Sequence, residues 1–247
     1  MNWQFWISEC IQFTTYGVIA YLCGLLVQLK NAKVNYTRKI NFFALYLTPL
    51  VLARVFPFTQ TLATTAMRSL LAAGIFMALV KPVRERVPLF ATMFCSFDRP
   101  EDRPYTLFWL STQILAGYFV LIPMSVVFAR YGISELVFIP VVVHCVGDGF
   151  AEPVGVRFGR HKYTTRVFLS TAHRYTRSYE GSACVLIAGL FTVVVFYYSF
   201  TRAEFIGALL IVPLVMTLAE AWSPHTWDTP YMFFTGGASL LLVKLVL

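Results

Sequence analysis

Asp148 and Glu152 stand four residues apart, interleaved with Gly147, Gly149 and Gly155, and basic side chains follow at once. If this stretch is helical, the two carboxylates share one face. Hard carboxylate oxygens beside a water-accessible cleft suit Mg²⁺, which typically binds one or two carboxylates plus substrate phosphates. Gly147, Gly149, Gly155 and Gly159 permit close backbone approach and unusual dihedrals. Further on, Gly181 precedes Ser182, which reads as the N-cap of an apolar helix. A helix start with open N–H groups, a capping hydroxyl and Arg177 nearby is an anion site. Glycine, carboxylate, cation and helix start together describe a nucleotide–metal–phosphate site.

Each piece alone has a plainer reading. A Gly-Asp-Gly triplet is usually a turn, a basic loop usually marks topology, and a Ser after Gly is usually a cap. The weight lies in their coincidence within one polar segment, 147–182, of a chain that is otherwise apolar.

The elements that must carry this segment are membrane helices. The 247 residues are 58% hydrophobic and 13% charged, where a soluble domain carries about 25% charged residues. Apolar stretches near the ~20 residues of a spanning helix recur from end to end. They predict an all-α integral membrane protein with about eight spans: 5–28, 40–56, 61–80, 107–128, 133–146, 183–200, 205–221 and 231–247. A shorter apolar patch, 89–97, reads as interfacial. The N-terminal stretch lacks a basic flank and is too long for a signal h-region, so it reads as the first span. Residues 1–247 form a single polytopic domain on this reading. The five cysteines lack metal spacing and mostly sit in apolar runs.

The net charge of +8 would suggest nucleic acid in a soluble protein; here it reads as orientation. Lys30, Lys33, Arg38 and Lys39 follow the first span. Lys81, Arg84, Arg86, Arg99 and Arg103 follow the third, and Arg157, Arg160, Lys162, Arg166, Arg174 and Arg177 the fifth. The alternate loops hold only Arg130 and Arg202. Basic loops stay in the cytosol, so segment 147–182 and the connection near Trp222–Pro230 are expected there, with both termini outside. Arg68, inside an apolar run, needs a partner or water. It reads equally as lining a headgroup cavity or, structurally, as marking a mis-drawn span end or bonding to a neighbouring helix.

Gly147-Asp148-Gly149-Phe150-Ala151-Glu152-Pro153-Val154-Gly155, Phe158-Gly159, Lys162 and Ser178-Tyr179-Glu180-Gly181-Ser182 resemble the pattern G-D-x-x-A-x-x-x-G…F-G…K…K-S-x-E-G-S. That pattern belongs to the phytol, farnesol and dolichol kinases and CTP-dependent diacylglycerol kinases, which share a superfamily with phosphatidate cytidylyltransferase. Arg38-Lys39 resembles the family's early R-K-x-x-H element, with Phe42 where the histidine would fall. Glu220 with Asp228-Thr229-Pro230 resembles its late E…D-N-x-x-x-P element, with Thr229 for the asparagine. Arg177 stands where the family has lysine, and the two are not chemically equivalent.

The resemblance implies transfer of the CTP γ-phosphoryl group to the hydroxyl of a membrane lipid alcohol, such as phytol, farnesol, a polyprenol, dolichol or diacylglycerol. It implies Mg²⁺ or another divalent ion on Asp148, with Glu152. Arg160, Lys162, Arg177 and Lys39 are expected at phosphates. Gly147, Gly149 and Gly155, with Ser178, Gly181 and Ser182 at the helix start, complete the nucleotide site. Asp228 or Glu180 is expected to orient or deprotonate the acceptor, although Glu180 reads equally as a structural bond to the loop backbone. His161 and His173 read as solvated and His144 as interfacial. A bacterial plasma membrane, a plastid membrane and the endoplasmic reticulum all fit. Phosphatidate cytidylyltransferase is the nearest rival, but its S-P-K-K-T-x-E-G run and C-terminal signature are not found. A small transporter would place polar residues at the midplane in related halves, and no such repeat is visible.

Overall fold

The computed structural model describes residues 3–59, 61–167, 170–224 and 226–247, and the side chains of 62, 65, 166, 167 and 170–174 lie outside that description. Two compact units divide the chain, Met1–Phe108 and Trp109–Leu247.

In the first unit, α1 (Trp3–Lys30) packs against α2 (Val34–Val55) and α5 (Pro88–Cys95). Asn31, at φ 51°, ends α1 in the left-handed conformation that closes many helices. α3 (Leu62–Ala78) starts on a capping box between Thr61 and Thr64, and α4 (Lys81–Arg84) is a single turn. Gly24 is obligatory where α1 meets α5, because a Cβ there would lie 1.9 Å from the Thr92 carbonyl oxygen. The partner that Arg68 needs is Glu9 of α1. Its Nε and Nη2 donate to Glu9 Oε1 at 2.9 and 2.5 Å, and its guanidinium lies over the Phe58 ring. Glu9 is buried, so this pair ties α1 to α3 and the helix-linking reading holds.

The second unit contains the polar segment. α6 (Thr106–Arg130) ends near Gly132, whose φ of 69° suits a helix stop. α7 (Phe138–Val143) runs without a break through a π-turn (His144–Asp148) into α8 (Gly149–Phe158). Then come β1 (Lys162–Val167), β2 (Ser170–Ser178), α9 (Tyr179–Val195), α10 (Arg202–Trp222) and α11 (Asp228–Val246). Phe128, Leu136, Val143, Val185, Val212, Met216, Met232 and Leu240 form its core. Small residues let the helices close. A Cβ on Gly189 would lie 2.8 Å from Pro213 Cα, and one on Gly147 would lie 2.8 Å from Val185 Cα.

Among the described residues, five helical stretches are long and apolar enough to cross a membrane: Trp3–Lys30, Thr106–Arg130, Ser134–Phe158, Arg202–Trp222 and Asp228–Val246. Their outward faces carry Leu115, Phe119, Leu210 and Leu242, all exposed, as lipid contact requires. The other three expected spans are the helices α2, α3 and α9; α3 and α9 have 17 residues each.

Two expectations are corrected here. The fifth span does not stop at 146, because the helix continues through the expected loop to Phe158. The remainder of that loop is a two-stranded antiparallel hairpin, set in a chain that is otherwise built of helices, as the all-α class expects. The N-cap of α9 is Ser178 rather than Ser182: its side chain accepts from Gly181 N at 3.1 Å, and it lies four residues before the expected cap.

Candidate active site

The π-turn ends on Asp148, which is buried, and Glu152 follows one turn later on α8, so the two carboxylates do share a helix face. A π-turn often marks a functional position in an otherwise α-helical run. Gly155, Gly159 and Gly181 act by lacking side chains, not by unusual dihedrals. A Cβ on Gly155 would lie 2.9 Å from Ser178 Oγ, and one on Gly181 would lie 2.7 Å from the Ala151 carbonyl oxygen. The start of α9 is therefore pressed against α8. Among the described glycines only Gly132 has positive φ.

The hairpin register sets Tyr163 opposite Arg177, so both side chains leave one face of the ribbon. Tyr163 Oη lies 2.6 Å from Ser182 Oγ. Arg177, with its side chain 8% exposed, donates to the Glu220 carboxylate and to the Glu220 backbone carbonyl at the end of α10. Ser182 Oγ donates to the other Glu220 oxygen at 2.9 Å. Asp228 Oδ2, at the start of α11, lies 3.6 Å from Arg177 Nη2. Burial works against the Arg177 charge, and the carboxylates of Glu220, Asp228 and Asp148 outweigh it, holding the guanidinium pKa above its ordinary value. Burial pushes the Tyr163 phenol up, and Glu220 adds to that. One buried cation thus bonds Glu220 and faces Asp228, carboxylates brought by two different helices, and Asp148 adds to the field that favours its charge.

Asp228 is also held from behind. Gln113 Nε2, on α6, donates to Asp228 Oδ1 at 2.8 Å and to Thr229 Oγ1 at 2.6 Å. Thr229 Oγ1 lies 3.1 Å from Nε2 of His144, which is fully buried in the π-turn, so His144 is not a residue of the water interface.

Glu180 faces the turn between α8 and β1. Its Oε1 accepts from the backbone N–H groups of Arg160 and His161 at 3.1 and 3.2 Å and lies 2.9 Å from His161 Nδ1. Its own backbone N–H, His161 and these loop amides hold the carboxyl down to about 2. Arg160, His161 and Lys162 are exposed around this turn. Lys39 belongs to the first unit, where it is buried on α2 with its ammonium 4.8 Å from the Phe42 ring centroid. The side chain of His173 lies outside the described residues.

Among the described residues no three His, Cys, Asp or Glu side chains converge closely enough to form a complete protein-only metal cage. A Mg²⁺ site that takes one or two carboxylates and completes itself with phosphate oxygens does not require one, so Asp148 and Glu152 fit that ion.

The sequence reading singled out neither Gln113 nor Tyr163, and it named Glu220 and Thr229 only as parts of the late element, without a role of their own. Glu220 and Gln113 carried a usable signal, since a carboxylate and an amide inside otherwise apolar helices both need partners.

No family model matches the chain, and no solved structure does. It is 28% identical over 218 residues to a phytol kinase of Synechocystis sp., an alignment covering 87% of this chain and 81% of that protein. The resemblance first read over residues 147–182 thus extends across most of the chain, which is a homologue of a lipid-alcohol kinase.

Proposed function

We propose that this protein is a multi-pass membrane kinase that transfers the γ-phosphoryl group of CTP to the hydroxyl of a lipid alcohol, an isoprenoid alcohol of the phytol class. The observation that carries this reading is the meeting of Glu220, Asp228 and, through Glu220, Ser182 at the start of α9 with the buried Arg177, whose charge Asp148 also stabilises. The phytol kinase relative supports it over most of the chain. The charge distribution between spans supports eight crossings, with this site on the cytoplasmic face where a soluble nucleotide meets a bilayer-bound alcohol.

Phosphoryl transfer demands positioning and charge neutralisation more than covalent chemistry. Asp148 and Glu152 would hold Mg²⁺, which neutralises charge on the transferred phosphoryl group. Arg160 and Lys162, exposed at the turn, contact the phosphates, and Glu180 holds that turn in place. The start of α9, capped by Ser178 on the Gly181 amide, bounds the anion site, and the Arg177 guanidinium supplies its buried positive charge. Asp228 accepts the proton of the alcohol as its oxygen bonds to the γ-phosphorus. The bond from that phosphorus to the β-phosphate oxygen breaks, and CDP leaves.

Purified protein incubated with a panel of lipid alcohols and CTP, ATP or UTP tests the reading. Label from the γ-position of CTP should enter an isoprenoid alcohol, and Asp148→Asn should lower turnover at least about 100-fold with the fold retained. CMP in the lipid product would mean cytidylyl transfer, and full activity of Asp148→Asn would remove the metal assignment.

A further inference from the structure

We infer that Gln113, on α6, is a positioning residue that holds the Asp228 carboxylate in its working orientation and couples it to the π-turn bearing Asp148. The inference rests on the kinase reading above and adds a residue outside every motif that suggested it.

The argument is geometric. Asp228 is the first residue of α11, and its carboxylate has two distinct sides. Oδ1 accepts from Gln113 Nε2 at 2.8 Å and from the Thr229 backbone N–H at 3.0 Å. Oδ2 faces Arg177 at the looser distance of 3.6 Å. Two close donors on one oxygen leave the other directed at the reacting region, so the rotamer is set from behind. The backbone donor belongs to α11 itself. Gln113 is the donor that ties this rotamer to a different helix.

The same amide nitrogen donates to Thr229 Oγ1 at 2.6 Å, and that oxygen lies 3.1 Å from His144 Nε2. His144 opens the π-turn and Asp148 closes it. Gln113 therefore sits at the branch of a short polar chain that runs from the Asp228 carboxylate to His144, the residue that opens the turn closed by Asp148. His144 is fully buried with Phe233 edge-on to its ring, so the inner end of this chain is shielded from water.

The sequence makes room for this reach one turn further along α6. A Cβ on Gly117 would lie 3.0 Å from Thr229 Cγ2 and 3.5 Å from the Phe233 ring. The missing side chain lets α11 approach close enough for a glutamine at 113 to span the gap.

The test compares wild type, Gln113→Leu, Gln113→Glu and Gly117→Ala, each assayed per folded molecule on CTP and the best lipid alcohol. Gln113→Glu keeps the shape and polarity but replaces the donor by an acceptor facing Asp228. Both Gln113 variants should lose about 10–100-fold in kcat, with KM for CTP and for the alcohol changed less than about threefold. Gly117→Ala should show a smaller loss of the same kind, because it displaces Thr229 without removing a polar group. A residue that only stabilises the fold would lower the melting temperature and leave kcat of the folded fraction intact. Turnover within about twofold of wild type in either Gln113 variant overturns the inference while leaving the kinase reading in place. A wild-type protein that phosphorylates none of the alcohols sinks the kinase reading and this inference with it.

Discussion

Arg177→Met is the perturbation that most directly probes the site's electrostatics. The Arg177 and Glu220 side chains are 8% and 6% exposed, so neither charge has ready access to water. Removing one partner of a buried ion pair typically costs about 3–5 kcal/mol, because the other charge stays buried without compensation. Here the cost falls on Glu220 first and also on Asp228 and Asp148, which share the guanidinium. For a chain of this size each kcal/mol lowers the melting temperature by about 2–4 °C, so Arg177→Met should melt roughly 6–20 °C below wild type. Glu220→Gln is the informative contrast. It removes one carboxylate and leaves Arg177 with Asp228, and its loss should be less than half as large. The double variant should recover part of the Arg177→Met loss, since one of the stranded charges has gone. Millimolar Mg²⁺ should raise the melting temperature of Arg177→Met more than that of wild type, by supplying the missing positive charge. Thermal unfolding in detergent, with and without Mg²⁺, reads all four outcomes. If Arg177→Met melts within ~2 °C of wild type, or above Glu220→Gln, then Arg177 is not the counter-charge of this cluster.

Two further outcomes follow from local geometry. Gly181→Ala would set a Cβ 2.7 Å from the Ala151 carbonyl oxygen and push the start of α9 away from α8. It should cost about 1–3 kcal/mol and raise KM for CTP more than KM for the alcohol, as steady-state kinetics and melting would report. Glu180 has its carboxyl held down to about 2, below the ordinary carboxylate value of ~4.3, so its hold on the 160–161 turn is complete above about pH 5. That hold is lost only as pH falls from about 4 towards 2, and Glu180 should contribute no titration to activity between about pH 5 and 8. Glu180→Gln should accelerate trypsin cleavage after Arg160 and Lys162 at neutral pH, and unchanged cleavage would contradict the clamp.

Much of the fold was legible because membrane helices announce themselves by length and apolarity. Each of the eight expected spans falls on a helix, although among the described residues five stretches meet a full span's length and hydropathy. The chemistry of 147–182 was legible for a similar reason, since carboxylates and glycines stand out in an apolar chain. Its shape was not. The stretch 147–158 is polar enough to read as a loop, yet it continues a helix whose small residues Gly147, Ala151 and Gly155 lie against α9 and its cap Ser178. The hairpin was missed although Lys-Tyr-Thr-Thr-Arg-Val is rich in β-branched and aromatic residues. The polar context drew attention to charge instead of strand propensity.

What the sequence alone determined is local: which stretches are apolar helices, where Asp148 and Glu152 fall on one helix face, and which segment carries the nucleotide-like motif. Tertiary structure decided the partners. Arg177 meets Glu220 across 43 residues, Gln113 meets Asp228 across 115, and Arg68 meets Glu9 across 59. The physical reason is that a buried charge or amide states only that it must have a partner. The choice of partner is made where helices cross, and that depends on the glycines and side-chain volumes of several helices at once. The anion site read from Gly181 and Ser182 changes accordingly. Ser178 caps the helix, and Ser182 is released to join Tyr163 and Glu220 around the buried Arg177.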